Sequence, residues 1–308
     1  MSETVRLPAP GSLGAWLLAA RPKTLAAALV PVMVGSACAL HAGGFRAGPA
    51  LAALLGAMCL QVATNLANDV FDYELGADTA ARVGPPRAAE RGLLRPGALR
   101  VALMSCLALA LGCGLYLVQV AGPPVVVIGL CSMVAAVAYT AGPYPLAYVG
   151  LGDAFVLLFF GFVAVTGTAL VQLGSVPALA WWSGAGVGAI ATVLLAVNNV
   201  RDRATDEAAG KRTLVVRFGR RFGELEATVC LAVAFAIPVA IIASGLAGRA
   251  LWLVWLPLPL GLSIHRGIRR LHGRELNRVL GQTAVLLLVY GAALAAAIVL
   301  DAGLGTRS

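Results

Sequence analysis

Two stretches of this sequence gather oxygen-bearing side chains at helical spacing: QVATNLANDVFDYELGAD (61–78) and NNVRDRATDEAAGKRT (198–213). On a helix Asn65, Asn68, Asp69 and Asp72 fall at i, i+3, i+4 and i+7 and share one face, which Gln61 extends by a turn. Asn198, Asp202 and Asp206 repeat the pattern at i, i+4 and i+8. Asp78 follows Gly76 and is expected in a loop that folds back. Carboxylates and amides without His or Cys suit a hard cation such as Mg2+, which keeps some of its waters and bridges carboxylates to substrate phosphates. Arg82, Arg87, Lys211 and Arg212 stand beside these acids and are suited to phosphate oxygens. Acids with bases around them point to a metal diphosphate rather than a bare cation.

Other chemistries lack their residues. His41, His265 and His272 show no zinc-ligand spacing, and neither a G-x-S-x-G elbow nor a P-loop is present. The six cysteines stand singly in apolar stretches, as small buried residues do.

The elements that must position the acids are membrane helices. Of 308 residues 60% are hydrophobic and 12% charged, with a mean hydropathy of +0.88, whereas a water-soluble domain carries about 25% charged residues. A window of roughly 20 apolar residues predicts nine spans, near 22–41, 50–69, 98–120, 124–141, 148–172, 178–199, 226–246, 249–265 and 281–301. Together they form one all-α domain over 1–308, with polar tails at 1–12 and 302–308. The first ten residues lack the basic start and apolar core of a cleavable signal.

With the N-terminus in the cytoplasm, nine alternating spans put 20 of the 23 Lys and Arg on the cytoplasmic side, as the positive-inside rule requires. The C-terminus then lies outside. A net charge of +9 therefore reflects topology and not a nucleic-acid surface. Both acidic stretches end even-numbered spans, so they open onto the basic face. Ionisable groups at such depth are expensive and usually functional. A secondary transporter with coupling acids is the rival class, but it does not explain two matched acid segments beside basic loops.

At these segments the sequence resembles the UbiA superfamily of membrane prenyltransferases, and within it most closely the 1,4-dihydroxy-2-naphthoate branch of menaquinone synthesis. The strings that carry the likeness are NDVFDYELGADT (68–79) with Arg82, Gly84-Pro85 and Arg87 after it, and NNVRDRATDEAAGKRTLVVRFG (198–219). RPKTLAAALVPVMVG (21–35), YTAGPYPLAYVGLGD (139–153) and GRELNRVLGQT (273–283) add to it. Superfamily members often place an Asp where Gly76 stands; the naphthoate branch tends to have its acid where Asp78 is.

The resemblance implies a nine-helix bundle, expected in the cell inner (plasma) membrane. Magnesium would bridge Asn68, Asp69, Asp72, Asp78, Asn198, Asp202 and Asp206, with Asp69, Asp72, Asp202 and Asp206 as the catalytic acids. The substrates implied are a polyprenyl diphosphate and 1,4-dihydroxy-2-naphthoate, with Arg21, Lys23 and Tyr139 at the acceptor. Another acceptor (4-hydroxybenzoate, homogentisate, haem or chlorophyllide) or a phytyl donor would leave the same fold and chemistry.

Overall fold

The computed structural model describes residues 7–76, 83–142 and 145–305, and among these no residue lies in a β-strand. The chain runs α1 (Leu13–Ala20), a 3-10 turn (Pro22–Thr24), α2 (Ala26–His41), α3 (Ala47–Glu74), α4 (Pro96–Ala121) and α5 (Pro124–Ala138). It continues through α6 (Gly152–Val156), a π-wound stretch (Leu157–Val163) and α7 (Ala164–Leu173), which together make one span, and then α8 (Ala178–Ala208). Short α9 (Leu214–Phe218), α10 (Arg220–Ala243), a 3-10 segment (Arg249–Trp255), α11 (Leu258–Arg270), another 3-10 turn (Gly273–Glu275) and α12 (Leu276–Gly305) complete it.

Seven of these units are long and apolar enough to cross a bilayer, and an eighth is the pair Leu13–Thr24 and Ala26–His41, bent by 47°. Helix α5 is apolar but has only 15 residues. The nine predicted stretches correspond to these units, with three differences in detail. Residue 13 already begins a helix before the first predicted span. The predicted 249–265 span breaks at Pro257 into a 3-10 segment and α11. The predicted 148–172 span starts only at Gly152 and widens into a π-wound stretch in its middle.

Length explains how acids reach the ends of the bundle. About 20 residues cross the hydrocarbon, but α3 has 28 and α8 has 31. At 1.5 Å per residue they reach about 42 and 46 Å, so their last turns, which carry the acid segments, extend past the apolar core.

The larger core is the packing of α2, α8, α10 and α12 around Val34, Val187, Ile190, Leu286 and Tyr290. Pro238 sits inside α10 and cannot donate to the carbonyl of Ala234. The buried Tyr290 hydroxyl donates to that carbonyl at 2.8 Å instead, which meets the demand that backbone groups in lipid be satisfied within the protein. A second core joins α1, α3, α4 and the 88–94 loop through Leu66, Val70, Leu93 and Leu99. Where the π-wound stretch crosses α8, a Cβ on Gly161 would lie 2.6 Å from the Gly184 oxygen and 2.7 Å from Gly188 Cα. Glycine is required at this close approach of two backbones.

Candidate active site

The last turns of α3 stand at the centre of the polar end. Asp69 is buried, and its two oxygens accept the backbone N–H groups of Ala88 (3.0 Å) and Ala89 (2.8 Å). This carboxylate therefore anchors the loop that returns the chain from α3 to α4. Asp72 is 2% exposed and accepts from three side chains: Arg87 Nη2 at 3.0 Å, Tyr148 Oη at 2.9 Å and Lys211 Nζ at 3.2 Å. Lys211 Nζ also lies 4.7 Å from the Tyr148 ring centroid, a cation–π contact. Loops following α3, α5 and α8 thus converge on one carboxylate. Asn68 Oδ1 accepts from the Thr140 hydroxyl.

One turn earlier, Asn65 Nδ2 donates to the Ala20 carbonyl at 2.9 Å and to Thr24 Oγ1 at 2.8 Å. These bonds satisfy the break between α1 and α2 and hold it against α3. Arg21 occupies the corner with φ 50° and ψ 70°, a left-handed conformation that costs roughly 1–2 kcal/mol in a residue with a Cβ. The Thr24 N–H and hydroxyl each donate to its carbonyl at 2.9 Å. Lys23 beside it is exposed.

The second acid segment ends α8. Arg201 is buried there and organises its neighbours: Nε to Asp202 Oδ1 at 2.8 Å, Nη2 to Asn198 Oδ1 at 2.7 Å, and Nη1 to Asn277 Oδ1 at 2.9 Å. Asn277, at the start of α12, donates in turn to the Val83 carbonyl at 3.2 Å. Asp206 is half-buried and Arg212 exposed, with the Arg212 N–H on the Tyr148 carbonyl at 2.8 Å. Asp78 and Arg82 lie outside the described residues.

Tyr139 follows the last residue of α5, half-buried and beyond the span. Burial first, then the charges of Asp153, Asp206 and Asp72, raise its phenol above the ordinary range. It therefore stays protonated and able to donate a hydrogen bond at neutral pH. The structure thus brings Asn68, Asp72, Arg87, Lys211 and Tyr139 to one place and sets Asn198, Asp202 and Asp206 on the α8 end beside them.

Several participants carry no spacing signal. Tyr148, Arg201 and Asn277 enter from separate parts of the chain. Asp153, on the first turn of α6, is 5% exposed and accepts from Asn199 Nδ2 at 3.2 Å. Two signals could have found it: an acid opening an apolar stretch, and its place at the end of the 139–153 string that carries the resemblance.

Among the described residues no three His, Cys, Asp or Glu side chains converge as a ready metal cage. The donors are nonetheless all oxygen, come from two helices, and are balanced by Arg and Lys. That set fits a magnesium ion completed by waters and phosphate oxygens rather than by protein alone.

Comparison with known proteins agrees with this arrangement. The model of the UbiA prenyltransferase family matches residues 28–287. The chain is 41% identical over 212 residues to the 1,4-dihydroxy-2-naphthoate octaprenyltransferase of Escherichia coli (strain K12), covering 67% of this chain and 68% of that one. It is 35% identical over 292 residues to the enzyme of the same name from Mycobacterium tuberculosis (strain ATCC 25618 / H37Rv), covering 93% and 97%. Among solved structures, a UbiA homolog from Archaeoglobus fulgidus bound to DMAPP and Mg2+ superposes with a TM-score of 0.65 at 18% identity, over 92% of this chain and 99% of that one. The apo form of a UbiA homolog from Aeropyrum pernix K1 gives 0.70 at 15%, over 86% and 96%. With nine-tenths of the fold shared and the family model spanning both acid segments, the chain belongs to the UbiA prenyltransferase family.

Proposed function

We propose that this membrane protein transfers a polyprenyl group from its allylic diphosphate to 1,4-dihydroxy-2-naphthoate, releasing diphosphate and carbon dioxide and forming the demethylmenaquinone precursor. The observation that carries the reading is the meeting of the two segments at Asp72. An acid from α3, a lysine following α8 and an arginine from the α3–α4 loop share one buried point. The acceptor follows from the relatives, whose names specify the naphthoate.

Asn68, Asp72, Asn198, Asp202 and Asp206 would hold magnesium, together with Asp78. Bound there, the metal would supply charge that stabilises the departing diphosphate. Arg87 and Lys211 would leave Asp72 for the phosphate oxygens, assisted by Arg82 and Arg212, so that cations already in place meet the charge as it develops. Asp69 supports this exchange from behind by fixing the backbone of the Arg87 loop. Tyr139 offers its hydroxyl to the acceptor, and Arg21 and Lys23, at the α1–α2 corner, its carboxylate a partner.

The reaction balances without an external base. The allylic C–O bond breaks and its electron pair leaves on the diphosphate. A ring π pair forms the new C–C bond at the carbon bearing the carboxylate. Carbon dioxide then departs and its bonding pair restores the aromatic ring. A bundle interior serves this chemistry, because water would otherwise capture the allylic cation.

The whole chain acts as one domain, with the basic loops at the cytoplasmic face of the cell membrane and the C-terminus outside. Purified protein given magnesium, geranylgeranyl diphosphate and carboxyl-labelled naphthoate should release carbon dioxide and diphosphate in equal amounts. Diphosphate release without carbon dioxide would contradict the decarboxylative transfer.

A further inference from the structure

Among the described residues four aspartates are buried at the polar end, and three have strong donors. Asp69 holds two backbone N–H groups, Asp72 holds Arg87 and Lys211, and Asp202 holds Arg201. Asp153 differs. It is 5% exposed, its side-chain donor is the neutral Asn199, and among the described residues no Lys, Arg or His forms an ion pair with it. An unneutralised acid in a hydrocarbon-lined bundle is costly, and such groups persist where they have work to do.

Its placement is built. Asp153 opens the helix directly after the loop that gives Tyr148 to Asp72. The Gly161, Gly184 and Gly188 contact presses this helix against α8, the helix that carries Asn199. Gly152 clears room on the other side: a Cβ there would lie 3.2 Å from Tyr139 Oη. Tyr139 and Tyr148 belong to one loop, so the segment that reaches Asp72 through Tyr148 also lies against the first turn that carries Asp153.

We infer that Asp153 supplies the negative charge that stabilises the allylic cation on the side of the reacting carbon opposite the departing diphosphate. The inference rests on the prenyl-transfer reading. Arg87 and Lys211 serve the anion that leaves. Asp153, held by the neutral Asn199, serves the cation left behind. The bond changes are those already described: the C–O pair goes to the diphosphate and the ring pair closes the C–C bond. Asp153 exchanges no proton and touches neither substrate; it acts by its field on charge that exists only in the transition state.

Asp153→Asn keeps the side-chain volume and an oxygen for Asn199. In single turnovers with enzyme in excess, it should slow prenyl transfer by about tenfold or more, while both KM values and the calorimetric binding of Mg2+ with inorganic diphosphate stay at wild-type values. Asp153→Glu should recover part of the rate. If the Asn variant does not accumulate in the membrane, Asp153→Ser provides the same comparison. An unchanged single-turnover rate would overturn the inference. So would a raised acceptor KM at constant rate, which would make Asp153 an acceptor ligand, or lost diphosphate binding, which would make it part of the metal site. A wild-type protein that binds Mg2+ and diphosphate but transfers no prenyl group would instead remove the reading on which the inference rests.

Discussion

Replacing Arg87 tests whether Asp72 is held by compensation in the absence of substrate. The Arg87–Asp72 pair is buried on both sides, with side chains 6% and 3% exposed and a 3.0 Å contact. Removing one partner of such a pair costs about 3–5 kcal/mol, because the other charge stays buried. Lys211 and Tyr148 remain on Asp72, so the low end applies and Arg87→Met should lose about 3 kcal/mol. At about 2 °C per kcal/mol for a chain of this size, the melting midpoint should fall by about 6 °C. Asp72→Asn leaves two cations uncompensated and should cost about 4 kcal/mol. The double variant removes both sides, so its loss should fall short of the sum by about 2 kcal/mol. The assay is chemical unfolding in detergent micelles, free of divalent metal and diphosphate. Losses that add within about 0.5 kcal/mol would show that the two side chains do not compensate each other, and the proposed exchange of Arg87 from acid to phosphate would lose its basis.

The remaining predictions concern activity and packing. Asp72→Ala and Asp202→Ala should each abolish turnover in protein that still elutes as a folded species, and chelation of divalent metal should do the same until magnesium is restored; near-normal turnover in either variant would refute the two-segment site. Asp69→Asn cannot accept both backbone N–H groups of the 88–89 loop as the carboxylate does; it should lower stability by about 1–3 kcal/mol yet keep more activity than Asp72→Asn, an order that side-by-side melts and rates would check. Tyr290→Phe leaves the Ala234 carbonyl without a donor beneath Pro238 and should lower stability by about 1–3 kcal/mol without altering the KM for either substrate; an unchanged melt would show that the carbonyl finds another partner.

Much of the fold was legible because the signal is one-dimensional. A span is a run of apolar residues, and the positions of 50–69, 98–120 and 178–199 needed no knowledge of their neighbours. Details that depend on neighbours were not legible. The 3-10 segment before Pro257 and the π-wound stretch at Leu157–Val163 arise from packing, the latter against Gly184 and Gly188 on a helix far along the chain. Pro238 reads as a helix breaker until Tyr290 is seen to satisfy the carbonyl it frees.

The candidate site divides in the same way. Asp72 and Asp202 stood out because Asn and Asp recur every third or fourth residue, and recurrence is visible in one dimension. Asp69 shares that face by count, and its oxygens accept backbone N–H groups, an anchoring contact that spacing does not show. Tyr148, Arg201, Asn277 and Asp153 are single residues on separate elements, joined only by tertiary structure. Lys23, which entered through the resemblance, and Arg212, which entered as a base beside the acids, are both exposed.

The most direct test of the central claim is a panel of acceptors given to purified protein with magnesium and a polyprenyl diphosphate. Prenylated product from 1,4-dihydroxy-2-naphthoate, with none from 4-hydroxybenzoate or homogentisate, is the expected result. Product from either of the other acids in place of the naphthoate would contradict it.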